Sequence, residues 1–280
     1  MAVMNILLEI CLCLFLAAVV VSLFTYSFFW YENSGYARRR AIANSGKSLP
    51  KLMIQGVICS IASVILAVVC FPTGFVRALW RPKALSSSQP VIVLVHGLYH
   101  NASAWLFLRR RLRKAGFANV FAVNYGSFFT NFEAALEKLQ TAIRRCRPAS
   151  SNQPLIIIGH SLGGLLARVY AERSGAEDSP AVVITLGTPH RGSRMAAFGV
   201  GRLAASLMYE GPLIVELEEK AQAMPCGGIS LFSPADALVL PAEGLAAPPD
   251  WVRYETAPLS HVGMLYSPKI AESIVHFIKK

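Results

Sequence analysis

Two long apolar runs open the chain. Residues 10–31 carry no charged side chain before Glu32, and residues 52–76 carry none. Neither run offers the polar face that a helix lying on a soluble core presents to water. At about 1.5 Å per helical residue, each is long enough to cross a hydrocarbon layer of about 30 Å. Two transmembrane helices, about 6–31 and 52–76, are therefore expected within an anchor of residues 1–81. A cleaved signal peptide fits poorly, because the first run is too long and no Lys or Arg precedes it.

The pattern changes after Pro90. Short apolar runs rich in β-branched residues predict strands at 91–95, 120–124, 155–159, 181–186, 229–232 and 252–256. Helical spacing predicts helices at 102–115, 132–145, 162–173 and 268–279. Strands alternating with helices imply a parallel sheet covered on both faces. Residues 82–90, with Ser86-Ser87-Ser88-Gln89 between two prolines, read as a flexible linker. Residues 90–280 then form the catalytic domain. Residues 194–224 break the alternation with apolar fragments punctuated by Gly199, Gly201 and Gly211, which predicts a small helical cap.

The chemistry sits at strand ends. Gly159-His160-Ser161-Leu162-Gly163 follows one predicted strand and opens a helix. A strand, G-x-S-x-G and a helix in that order make a sharp turn that lifts a serine hydroxyl above the sheet. His96-Gly97-Leu98 ends another strand, and Leu186-Gly187-Thr188-Pro189-His190-Arg191-Gly192-Ser193 ends a third. Asp236 and His261 follow in loops after later strands, giving the order Ser, Asp, His. Together these segments resemble bacterial lipases and related esterases of the α/β-hydrolase superfamily, over roughly residues 91–268.

That resemblance implies an α/β-hydrolase fold, with a mostly parallel central sheet and a small helical cap, preceded by the two transmembrane helices. It casts Ser161 as nucleophile, His261 as its base and Asp236 as the acid orienting the imidazole. The backbone N–H groups of Leu98 and Leu162 would form the oxyanion hole. His96 and His190 are expected to buttress the cleft. Tyr99, Phe128, Leu207 and Met208 are the candidate substrate-binding residues, among cleft-lining candidates that also include Trp105 and Phe129. No cofactor or metal is expected. The calcium that some such lipases hold through aspartates near the histidine finds no acid in Ser260-His261-Val262-Gly263-Met264.

Composition and charge locate the protein rather than alter its chemistry. With 54% hydrophobic residues and a mean hydropathy of +0.46, the chain is too apolar for one ordinary soluble domain. Net charge is +11. Residues 77–280, with 22 basic and 14 acidic side chains, hold +8 of it. A basic domain beside a bilayer suits anionic headgroups. No interleaved basic-aromatic motif supports nucleic acid as a partner, and no obligatory protein partner is expected. Arg38, Arg39, Arg40, Lys47 and Lys51 lie between the two apolar runs. The positive-inside rule places them in the cytoplasm and so places the catalytic domain on the periplasmic or extracytoplasmic side.

Four cysteines fall in the apolar runs, and only Cys146 and Cys226 lie in the catalytic domain. The expected function is a membrane-anchored carboxylester hydrolase acting on acyl lipids through an acyl-enzyme. An acyltransferase or thioesterase would use the same residues, and a catalytically silent membrane scaffold is the reading from another class. With the anchor acting only as a tether, a chain starting near Ser86 is expected to hydrolyse short soluble esters normally.

Overall fold

The structure is a computed structural model that describes residues 2–81, 85–147, 152–175, 178–221, 224 and 226–280. Six parallel strands form one sheet: β1 Val91–Val95, β2 Val120–Val123, β3 Leu155–His160, β4 Val182–Leu186, β5 Gly227–Phe232 and β6 Val252–Glu255. Their order across the sheet is β2-β1-β3-β4-β5-β6. All pairings are parallel, with β1 register Val91 to Leu155 and Val95 to Gly159 against β3. The chain steps from β1 to one side for β2 and then crosses to the other side for β3. The switch point therefore lies between the carboxyl ends of β1 and β3, where open α/β sheets hold their ligands.

The continuous apolar runs are explained by burial on both faces. Val91, Val93 and Val95 of β1, with Leu155 and Ile157 of β3, face one core. Ile92, Leu94, Ile156 and Ile158 face the other. The first face is covered by α5 (Phe132–Cys146) and α6 (Leu162–Arg173), through Leu136, Leu139, Leu165 and Val169. The second is covered by α4 (Leu106–Lys114) and α9 (Pro268–Lys279), through Leu108, Leu112, Ile270 and Ile274. Trp105, a cleft-lining candidate from the sequence, is fully buried in this second core.

Residues 194–224 hold a 3-10 turn at Arg194–Phe198, a single helical turn α7 (Arg202–Ala205) and α8 (Pro212–Glu219); residues 222 and 223 lie outside the described ones. Leu203, Leu207, Ile214 and Leu217 join the first core. This segment thus closes over the sheet as well as flanking its carboxyl edge.

The N-terminal region departs from a tether. α1 (Ala2–Asn33) and α3 (Leu49–Cys70) are joined by a short helix, α2 (Tyr36–Asn44), in a stretch where hydropathy predicts no element. The helices Met4–Asn33 and Leu49–Phe75 are long and apolar enough to cross a membrane. Their inner faces nevertheless dock on the hydrolase domain. Tyr26, Phe29, Leu49 and Leu52 pack with Met195, Ala235, Ala237 and Leu240. The Tyr26 hydroxyl donates to the Ala235 carbonyl at 2.6 Å. Gly56 is needed at this crossing, since a Cβ there would lie 2.2 Å from the Tyr26 hydroxyl.

The flexible-linker expectation for residues 82–90 is also corrected where it can be seen. Residues 82–84 lie outside the described ones. From Ser86 onward the segment is tied down, because Asn119 accepts from Ser86 N at 2.9 Å and donates to Ser86 O at 2.7 Å. Gln89 accepts from Ala118 N at 2.7 Å. A chain starting near Ser86 would lack Tyr26 and the α3 contacts described below, so unimpaired hydrolysis by that form is no longer the expectation.

Candidate active site

Ser161 stands between β3 and α6 with φ 53° and ψ −126°. This is backbone that a side-chain-bearing residue adopts only when its surroundings hold it, at a cost of about 1–3 kcal/mol. The flanking glycines make the turn possible. A Cβ on Gly159 would lie 2.4 Å from the Gly163 carbonyl oxygen, and one on Gly163 would lie 2.1 Å from the Val95 carbonyl oxygen. Ser161 N donates to Leu186 O at 2.9 Å, and the Thr188 hydroxyl donates to Ser161 O at 3.1 Å. The strained turn is thus pinned by the neighbouring strand β4 and the loop that leaves it.

Asp236 and His261 meet at the same edge. The His261 ring donates from Nδ1 to Asp236 Oδ2 at 2.7 Å, and both residues are buried. Asp236 Oδ1 accepts from Leu238 N at 2.9 Å and from Val239 N at 3.1 Å. Each carboxylate oxygen therefore has its own donor, which fixes the carboxylate plane. With its proton on Nδ1, the imidazole keeps Nε2 as an acceptor. Gly187, which follows β4, faces the pair, and a Cβ there would lie 3.1 Å from both Asp236 Oδ2 and His261 Nδ1. Among the described residues the Ser161 hydroxyl makes no hydrogen bond, to His261 or to any other group.

The two donor positions expected of an oxyanion hole lie beside the serine. A Cβ on Gly97 would lie 3.0 Å from Ser161 Cβ, so the His96-Gly97-Leu98 turn passes directly against it. The Leu98 N–H has no acceptor among the described residues, and neither does the Leu162 N–H in the first turn of α6. His96 holds this loop in place. Its Nδ1 donates to Gly97 O at 2.8 Å, its Nε2 accepts from Tyr125 N at 3.3 Å, and the Tyr125 ring stacks on it at 4.2 Å. Burial pushes the His96 pKa down to about 3, so the ring stays neutral and keeps this donor–acceptor arrangement. His160 is buried too, and its Nε2 donates to the His261 carbonyl at 3.0 Å. His190 sits behind β4 with Thr185, Ser230 and Trp251.

Some positioning residues lacked a sequence signal. The Ser233 hydroxyl donates to Leu259 O at 2.6 Å and accepts from Leu259 N at 2.9 Å, tying the Asp236 loop to the His261 loop. Behind that loop, α3 supplies Ser63, whose hydroxyl lies 3.1 Å from the Ser260 hydroxyl, and Cys59, whose sulfur accepts from Ser260 N at 3.3 Å. Tyr26 supports the Asp236 loop at Ala235. These partners lie inside the apolar runs, where hydropathy registers only an occasional polar residue.

The substrate-binding candidates divide. Tyr99 follows Leu98 with φ 57°, its ring stacks on Phe128 at 5.0 Å, and its hydroxyl donates to Val200 O at 2.5 Å. Phe128 and Phe129 are exposed. These three rings and Val200 form an apolar rim beside the His96-Gly97-Leu98 loop. Leu207 is corrected: it is buried in the first core with Leu203 and Leu217. Met208 is half-buried and contributes mainly backbone, its carbonyl accepting from Gly211 N at 2.9 Å.

Among the described residues no cluster of three or more His, Cys, Asp or Glu could hold a metal ion. Cys146 and Cys226 are both free thiols, and burial raises each to about 11.

Residues 92–274 match the alpha/beta hydrolase family. The chain belongs to that family. It is 33% identical over 115 residues to a triacylglycerol lipase of Pseudarthrobacter phenanthrenivorans, covering 38% of this chain and 35% of the lipase. It is 31% identical over 94 residues to methylesterase 7 of Arabidopsis thaliana, covering 31% of this chain and 35% of that protein. A GPI inositol-deacylase of Candida albicans is 46% identical over 43 residues, 15% of this chain and 11% of that protein. The chain thus spans about a third or less of the length of these relatives. In fold, it matches the mature lipase BlEst2 of Bacillus licheniformis with a TM-score of 0.58 at 18% identity, covering 71% of this chain and 94% of that one.

Proposed function

We propose that this α/β hydrolase is a membrane-attached serine carboxylester hydrolase of lipase or esterase type, acting on acyl esters of lipid. The observation that carries this reading is a strained serine at the end of β3, with a buried Asp236–His261 pair against Gly187 at the end of the neighbouring β4 and two unpaired backbone N–H groups beside the serine. Each matches one requirement of acyl transfer.

In this reading the Ser161 hydroxyl attacks the acyl carbonyl while His261 Nε2 takes its proton. Negative charge forms on the carbonyl oxygen, and the N–H groups of Leu98 and Leu162 stabilise it without reorganising. His261 then gives the proton to the departing alcohol, leaving an acyl-serine. Water attacks this ester by the same route, with His261 again the base, and releases the fatty acid. The apolar rim of Tyr99, Phe128 and Phe129 suits an acyl chain, while α1 and α3 hold the site at a lipid surface.

Purified full-length chain in detergent is expected to turn over p-nitrophenyl esters, with preference rising with acyl length over a short series. It is expected to release fatty acid from emulsified triglyceride or phospholipid vesicles. A transferase would instead pass the acyl group to an added alcohol or amine in preference to water. Turnover of thioesters with none of oxygen esters would contradict the carboxylesterase reading.

A further inference from the structure

The basic linker between α1 and α3 touches the hydrolase domain. Arg38 of α2 pairs with Glu243, and Lys47 pairs with Glu255 at 2.6 Å. Glu32, at the end of α1, pairs with Arg194 at 2.6 Å. These contacts lie at the amino end of α3. About two-thirds of the way along α3, Ser63 meets Ser260 at 3.1 Å. Just past its carboxyl end, Asn101 donates to Phe71 O and Asn124 to Gly74 O, each at 3.0 Å.

The helix has 22 residues, so it is about 33 Å long, close to the thickness of the hydrocarbon layer. The hydrolase domain flanks it from one end to the other. If α3 crossed a bilayer, either the contacts along its length would break or the loop carrying Ser260 and His261, which packs against its inner turns, would enter hydrocarbon, where irregular backbone is not tolerated against lipid. Much of the pair's apolar surface is open: the described positions of α1 from Met4 to Ala17 are exposed all round, and beyond them exposed apolar side chains continue on both helices. Leu8, Leu12, Leu16 and Val20 on α1, with Ile54 and Ile58 on α3, are exposed.

We propose that the helix pair is monotopic: its open apolar surface lies in one leaflet, and the linker and the hydrolase domain share one side of the membrane, the cytoplasmic side. This rests on the membrane reading of α1 and α3 and replaces the expectation that the pair carries the chain across. The same positive-inside rule that placed the linker in the cytoplasm now places the whole domain there, since the two are in contact.

The test uses the full-length chain expressed in a bacterium, with Ser45→Cys in the linker or Glu272→Cys on α9. Both positions are exposed and neither touches the site. Spheroplasts are treated with a membrane-impermeant, mass-shifting maleimide before and after permeabilisation, and each variant is compared with the unsubstituted chain. The expected result is that neither added cysteine reacts in sealed spheroplasts and both react after permeabilisation. Labelling of Glu272→Cys in sealed spheroplasts overturns the proposal, whether Ser45→Cys is protected, which means a crossing pair, or labelled, which means the other side. Fractionation precedes the labelling. A chain found wholly in the soluble fraction would overturn the membrane reading itself, while ester hydrolysis measured on the same preparation reports separately on the catalytic one.

Discussion

Alanine at Ser161 is expected to lower ester hydrolysis by about 10⁴-fold or more, leaving only what the oxyanion donors and substrate binding supply. The thermal midpoint of unfolding should barely move. The Ser161 hydroxyl has no hydrogen-bond partner among the described residues, while the turn is held by Ser161 N, Ser161 O and the flanking glycines, all of which the variant keeps. The change therefore removes chemistry without removing packing. The measurement is kcat on a short soluble ester, beside a melting curve of the same protein. A variant that retains more than about a hundredth of native turnover would place the nucleophile elsewhere.

Asparagine at Asp236 is expected to cost about 10³-fold to 10⁴-fold in kcat, with KM little changed. The surroundings say which way the amide turns. Oδ1 accepts from two backbone N–H groups, Leu238 and Val239, so the amide oxygen stays there. The NH₂ group then faces His261 Nδ1, which the carboxylate oxygen now faces at 2.7 Å. A donor at that place forces Nδ1 to accept and moves the imidazole proton to Nε2. The ring can then no longer take the Ser161 proton. Near-native turnover by this variant would move the acid to another carboxylate, Glu255 or Asp250 being the next candidates.

Most of the catalytic half was legible in the sequence, for a physical reason. Strands buried on both faces must be apolar throughout, so 91–95 and 155–159 stood out, and helices 162–173 and 268–279 were bounded by residues that cannot be moved along the chain. Leu162 begins at the elbow, and Pro268 begins where Ser267 caps the helix by accepting from Ile270 N. The G-x-S-x-G glycines were legible because no other residue fits, given that a Cβ at Gly159 or Gly163 meets backbone oxygen.

The N-terminal third was legible only as hydropathy. A window of apolar residues reports how much of a helix avoids water, not what each face touches. The docking face was nevertheless written in α3 as Leu49, Leu52, Gly56, Ser60 and Ser63, a stripe of helical period in which small and polar residues replace the larger apolar ones. It is this stripe that meets Tyr26 and Ser22 of α1 and Ser260 of the His261 loop. Leu207 failed differently. An apolar residue in a segment that interrupts the strand–helix alternation can line a cleft or fill a core, and only its burial beside Leu203 decides between them.

The central claim is that Ser161 is a nucleophile activated by His261 at a preformed oxyanion hole. Reaction of the full-length chain with an alkyl fluorophosphonate, followed by mass mapping of the modified peptide, tests it most directly. The account predicts one phosphonyl group per chain, carried on Ser161, with labelling slowed by orders of magnitude in His261→Ala. No label on the native chain, or a label on another serine at the native rate, would contradict it.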